Sequence, residues 1–61
     1  MASQIITFVF CGLEFEIHYS STNNQYIWLV VGVSELQGIC FSREQSYIQA
    51  TRAISRFRNN S

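Results

Sequence analysis

Residues 13–19 alternate between apolar and polar side chains, and this pattern constrains the fold more than any other feature of the chain. The apolar members are Leu13, Phe15, Ile17 and Tyr19, and the polar members are Glu14, Glu16 and His18. A period of two is typical of a β-strand with one buried face. The sequence therefore predicts a sheet that is covered on one side.

A second β-strand is predicted directly before this one. Residues 4–10 are rich in β-forming side chains, and Gly12 can adopt the positive φ of a two-residue hairpin loop. This loop places six large apolar side chains on one face, and a one-residue slip would scatter them. The predicted cross-strand pairs are Phe10 with Leu13, Phe8 with Phe15, and Ile6 with Ile17.

The polar turn at 20–24 is followed by a third predicted strand, 25–33, which is apolar on both faces. Such a strand is typical of the centre of a sheet that is covered on both sides. Within it, Gly32 indicates a bulge or a close backbone approach. Residues 34–37 are predicted to form a loop, Gly38 to be a turn residue, and 38–41 to form a short last strand.

An amphipathic helix is predicted from Ser42 to about Arg58. Ser42 and Gln45 have the spacing of a capping box. The apolar stripe at helical spacing consists of Tyr47, Ala50, Ala53, Ile54 and Phe57. We therefore expect one α+β domain over residues 1–61, an antiparallel sheet of three to four strands with a C-terminal helix packed on one face.

The predicted sheet has more apolar side chains than one helix covers. With an even loop length at the Asn23-Asn24 turn, Trp28 and Val30 face the helix. The side chains left on the other face are Ile5, Val9, Ile27, Leu29 and Val31. Because exposed apolar patches mark interaction sites, we expect this face to pack against another chain, most simply a copy in a homodimer. The alternative is that an odd loop length, sheet twist or the termini hide these residues.

The charged residues are four arginines and four glutamates, with no lysine or aspartate. Zero net charge lacks the basic field of a general nucleic-acid binder. The helix still offers possible polar contacts to an acidic protein surface or to phosphates, namely Arg43, Gln49, Arg52 and Arg56. A small nucleic-acid-binding module is therefore the alternative hypothesis.

Catalytic, metal and membrane signatures are missing from the sequence. His18 could pair with Glu16 for acid–base work or with Cys11 as a dyad, but a half-exposed strand histidine is the simpler interpretation. Neither a Cys-x-x-Cys spacing nor a glycine-rich phosphate loop occurs. Without a membrane-length apolar run or a signal peptide, we predict a cytoplasmic protein with free thiols at Cys11 and Cys40, no cofactor and no enzymatic activity.

Residues 26–57 resemble the HicB-like antitoxin family. The similar features are an aromatic strand, the run of residues 34–41, a polar cap and a helix that contains Ala50, Ala53 and Ile54. Leu36 and Gly38 match the family's turn, whereas Gln37 stands where the family has proline. The resemblance implies an oligomer that binds a small toxin nuclease and blocks it. We thus expect a small non-catalytic protein, antitoxin-like or a phage-type inhibitor, that binds and inhibits or regulates a protein partner.

Overall fold

The computed structural model describes residues 4–59, which form four β-strands and one α-helix. The elements are β1 (Gln4–Phe10), β2 (Leu13–Ser20), β3 (Gln25–Val30), β4 (Val33–Cys40) and α1 (Arg43–Asn59). The strands form one antiparallel sheet in the order β1-β2-β3-β4. The α+β prediction, an antiparallel sheet followed by one C-terminal helix, is confirmed.

The β1–β2 hairpin has the predicted register. Phe10 pairs with Leu13, Phe8 with Phe15, and Ile6 with Ile17. The Cys11-Gly12 loop has positive φ at both positions, 53° and 81°, as a type I′ hairpin turn requires. The rings of Phe8 and Phe15 stack with centroids 5.1 Å apart, so the aromatic pair helps to fix the register.

The prediction for residues 31–37 was wrong in two respects. β3 ends at Val30, and Gly32, with φ of 87°, lies in the turn that leads into β4 rather than in a bulge of β3. Residues 34–37, predicted as a loop, belong to β4. The weak β-propensity of this segment indicated a loop, and tertiary pairing with β3 outweighs that propensity.

Gly38 is a strand residue, and its prediction as a turn former, like that of Leu36, was also wrong. Gly38 lies opposite Trp28 in the β3–β4 ladder. An ideal Cβ at Gly38 would lie 2.7 Å from Nε1 of Trp28. The indole ring lies so close to the β4 backbone that a residue without a side chain is needed there.

The core lies between α1 and one face of the sheet. Its buried members are Phe15, Ile17, Trp28, Val30, Cys40, Ala50 and Ile54. The placement of Trp28 and Val30 under the helix confirms the even loop length between β2 and β3. The helix begins as predicted, because the Gln45 N–H donates to Ser42 Oγ over 3.1 Å.

α1 lies across β4, β3 and β2 and leaves most of β1 uncovered. Tyr47 is the helix residue that reaches toward β1, with its ring centroid 5.2 Å from that of Phe8. On the other flank of α1, Gln49 reaches toward β4 and accepts hydrogen bonds from Trp28 and Cys40. The two flanks of the helix therefore face opposite edges of the sheet, β1 on one side and β4 on the other.

Candidate interaction surfaces

The face of the sheet opposite α1, here called the open face, carries the residues predicted to contact another chain. One cross-strand row runs from Ile5 through His18 and Ile27 to Ile39. Leu29 lies in the next row beside Glu16, Val9 pairs with Glu14, and Val31 lies in the turn after β3. All five predicted residues thus belong to this face or its rim.

The open face is not covered by any helix or strand among residues 4–59. Ile5, Val9, Val31 and Ile39 are 57%, 69%, 42% and 59% exposed. Ile27 and Leu29 are half-buried by their neighbours in the sheet. β3 is therefore central, but the prediction that it is covered on both sides does not hold for the described part of the chain.

A polar stripe formed by Glu14, Glu16 and His18 runs along β2 through the middle of the open face. His18 Nε2 and Glu16 Oε1 are hydrogen-bonded at 2.9 Å, and each side chain is 31% exposed. Because these two groups satisfy one another, a second molecule can cover them at a lower desolvation cost than it would incur with unpaired groups. The open face is thus aliphatic on both sides of a polar stripe in which Glu16 and His18 are paired.

A groove of about 480 Å³ lies on the other side of the sheet, between α1 and β4. Here it is called the helix–β4 groove. Its apolar lining comes from Trp28, Leu36, Ala53 and Phe57, and its polar lining from Gln49, Arg52 and Arg56. The guanidinium groups of Arg52 and Arg56 belong to exposed residues that have no carboxylate partner within residues 4–59.

The structure divides the four predicted polar contacts of the helix. Arg52 and Arg56 lie together at the helix–β4 groove, whereas Arg43 lines a separate hollow with Tyr19 and Tyr26. Gln49 is an exposed residue, but its Oε1 accepts hydrogen bonds from two core side chains, from Trp28 Nε1 at 3.2 Å and from Cys40 Sγ at 3.1 Å. Two arginines therefore form a shared surface, while Gln49 supports the core beneath it.

The geometry separates Cys11 from His18. Cys11 is exposed at the β1–β2 turn, and His18 lies five strand residues beyond Leu13, which is roughly 17 Å along β2. The two side chains therefore do not form a dyad. Among residues 4–59, no group of three or more metal-binding side chains comes together.

Two features of the helix side were not predicted from the sequence. The helix–β4 groove exists because α1 crosses the sheet at β4, and no local pattern encodes that crossing. Ser46 is fully buried although it is polar, and its Oγ donates to the Ser42 carbonyl over 3.1 Å. The sequence signal for this burial is the position of Ser46 at helical spacing between Ser42 and Ala50. A small residue at that position allows the helix to approach the sheet closely.

Comparisons of the chain with protein-family models, with curated proteins and with solved structures find no match. The similarity to HicB-like antitoxins stays a prediction. Within residues 4–59, no helix has both the length and the apolar character needed to cross a membrane.

Proposed function

We propose that this chain is a small non-catalytic binding protein that forms a homodimer through the open face and inhibits or regulates a protein partner. The observation that carries the proposal is the set of exposed aliphatic side chains from β1, β4 and the β3–β4 turn, together with half-buried ones from β3, on a face that the described chain leaves uncovered. Contiguous apolar patches of this kind are typical of protein-interaction sites.

The apolar area of the open face is large relative to the stability of so small a domain. Full burial of one Val, Leu or Ile side chain contributes about 1.5–3 kcal/mol. A core in a chain of this size rarely supplies more than about 3–5 kcal/mol of net stability. Covering even part of Ile5, Val9, Val31 and Ile39 therefore offers a stabilisation comparable with that of the whole monomer.

A second copy of the chain fits the chemistry of the open face. A two-fold dimer brings the same patch of both copies together, so that the aliphatic side chains on either side of the polar stripe can meet those of the second copy. Four strands give a face roughly 20 Å wide, and seven residues make it about 23 Å long. Two such faces lie near the lower limit for stable interfaces, so we expect a dimer that dissociates on dilution.

The partner function draws support from the resemblance of residues 26–57 to HicB-like antitoxins. In this proposal the dimer presents its helix sides outward, where the arginines of α1 remain accessible. A cytoplasmic protein partner, such as a small toxin nuclease, would contact that outward surface.

Light scattering coupled to size-exclusion chromatography tests the dimer. We expect the concentrated wild-type protein to have about twice the 7.1 kDa mass of the chain. Ile5→Arg places a charge on the open face at a residue that is 57% exposed, and should give a monomer. The matched control is Ile48→Arg, the same change at a helix residue that is 39% exposed, and it should stay dimeric.

A wild-type protein that remains monomeric at millimolar concentration would refute the dimer. The same conclusion follows if Ile5→Arg and Ile48→Arg shift the mass equally, because the effect would then not belong to the open face. Ile27→Arg provides a second open-face variant nearer the centre of the row. Its circular dichroism must match that of the wild type before its mass is interpreted.

A further inference from the structure

The outer edge of β4 can accept another strand. β4 is the last strand of the sheet, and nothing among residues 4–59 pairs with its outer side. The regular ladder with β3 covers 37–40, because the register shifts between Leu29 and Val30. An edge strand offers unpaired N–H and C=O groups to an extended chain, and here the regular segment suits a short peptide.

The helix–β4 groove lies on the helix side of this edge. Side chains of an added strand would alternate, so that every second one points to the helix side of the sheet. Gly38 has no side chain that could obstruct an added strand, and the Trp28 indole lies where a Cβ of residue 38 would otherwise be. An added strand would therefore find an apolar floor made of Trp28 and Leu36.

The charges at the groove select the kind of peptide. Arg52 and Arg56 are one helical turn apart, which places their Cβ atoms about 5–6 Å from each other. Alternate residues of an extended peptide are about 6.6 Å apart on the same face. Carboxylates at positions i and i+2 of an added strand therefore have a spacing similar to that of the two arginine Cβ atoms, and the guanidinium groups have no acidic partner among residues 4–59.

From these observations we propose that an extended acidic peptide segment of a protein partner binds along β4 as a fifth strand, with alternate carboxylates paired to Arg52 and Arg56. Strand addition uses main-chain hydrogen bonds for affinity and alternate side chains for specificity. The proposal extends the proposed function by giving the chemistry of the partner. Its charged contacts, Arg52 and Arg56, lie outside the open face, so the two proposals can fail separately.

A peptide fits this surface better than a nucleic acid. The chain has zero net charge, whereas binding to the phosphate backbone depends on a strong basic field. The unpaired strand edge offers main-chain hydrogen bonds whose spacing matches another polypeptide. Binding of a nucleic acid could be distinguished by experiment, because the affinity for DNA or RNA would fall steeply as the salt concentration rises. Strand addition by a peptide depends instead on the backbone N–H groups of that peptide.

Fluorescence anisotropy with a labelled octapeptide of alternating glutamate and valine tests the proposal. We expect this peptide to bind at least about tenfold more tightly than its lysine–valine counterpart. The double change Arg52→Gln and Arg56→Gln should weaken binding by roughly fivefold to tenfold, as two partly exposed ion pairs would. Arg43→Gln removes the same kind of charge from a different hollow, and should change the affinity by less than about twofold.

Methylation of alternate backbone nitrogens in the peptide tests strand addition without altering the protein. We expect binding to be lost when the N–H groups that face β4 are methylated, and the amide signals of residues 37–40 to shift only with the unmethylated peptide. Equal binding by the methylated peptide, or equal weakening by Arg43→Gln, would overturn the proposal. Preferential binding of single-stranded DNA over the acidic peptide would overturn it in favour of the nucleic-acid alternative.

The Ile5→Arg variant separates this proposal from that of the dimer. A monomeric Ile5→Arg protein that binds the acidic peptide like the wild type would support the groove independently of self-association. A dimeric wild type with no affinity for the acidic peptide would reject the groove alone. A wild type that is monomeric and also fails to bind the peptide would reject both proposals.

Discussion

The indole of Trp28 lies across Gly38 so closely that an added Cβ would be 2.7 Å from Nε1. Trp28 is held there by the core and by its hydrogen bond to Gln49, and is only 6% exposed. We therefore expect Gly38→Ala to lower the free energy of unfolding by about 1–3 kcal/mol, as overpacking does. Urea denaturation followed by circular dichroism measures the change.

A double-mutant cycle identifies the cause of this loss. If the clash with the indole is responsible, Gly38→Ala should cost at least about 1 kcal/mol less in a Trp28→Leu background than in the wild type. Additive effects of the two substitutions would show that the alanine acts through the backbone of β4 and not through Trp28.

The Cys11-Gly12 turn offers a stabilising substitution. Cys11 has a φ of 53°, a left-handed conformation that most L-residues adopt at a cost and that asparagine tolerates well. Cys11→Asn creates the Asn-Gly sequence preferred in type I′ turns, and should raise the free energy of unfolding by about 0.5–1 kcal/mol. Thermal unfolding under reducing conditions should show a higher Tm, whereas the β-branched control Cys11→Val should lower it.

The N-terminal cap of α1 contributes to stability through the side chain of Ser42. Ser42 Oγ accepts a hydrogen bond from the Gln45 N–H at 3.1 Å, so Ser42→Ala should reduce the free energy of unfolding by about 1 kcal/mol. Ser55→Ala, an exposed change inside the same helix, should be neutral or slightly stabilising because alanine has the higher helix propensity. Equal effects of the two changes in chemical denaturation would contradict the cap.

Gln49 links β3, β4 and α1 through one oxygen atom. Its Oε1 accepts from Trp28 Nε1 and from Cys40 Sγ. Gln49→Leu leaves the nearly buried indole N–H without this acceptor and should cost about 1–3 kcal/mol. Gln45→Leu is the matched control, because Gln45 is exposed like Gln49 but its side chain makes neither of these hydrogen bonds. A loss of stability for Gln45→Leu as large as that for Gln49→Leu, in urea titrations, would disprove the role of the shared acceptor.

The parts of the fold that could be predicted are those in which one strand face is buried. Phe15 and Ile17 alternate with polar residues, so the register of the β1–β2 hairpin could be read directly from the sequence. The first half of the edge strand β4 was predicted as a loop because residues 34–37 are mostly exposed and carry little pattern. Its pairing with β3 depends on the turn at Gly32. The φ of 87° in this turn is allowed for glycine but is not specified by the residue type alone.

The candidate surfaces were predictable to different degrees. Ile27 and Leu29 could be assigned to the open face from loop length and alternation alone, and the strand register places them there. The helix–β4 groove could not be predicted, because it depends on how α1 crosses the sheet. For the same reason the sequence grouped Arg43 with Arg52 and Arg56, although the structure assigns Arg43 to a different hollow.

The neighbour-to-neighbour order of the strands has a kinetic consequence. Each strand pairs only with the strand before or after it in the chain, so every hairpin closes a short loop with a small entropic cost. Chains rich in such local contacts cross a low barrier and fold quickly. We expect refolding from urea within milliseconds in a single phase, which leaves the exposed apolar strands little time to aggregate before the sheet is complete.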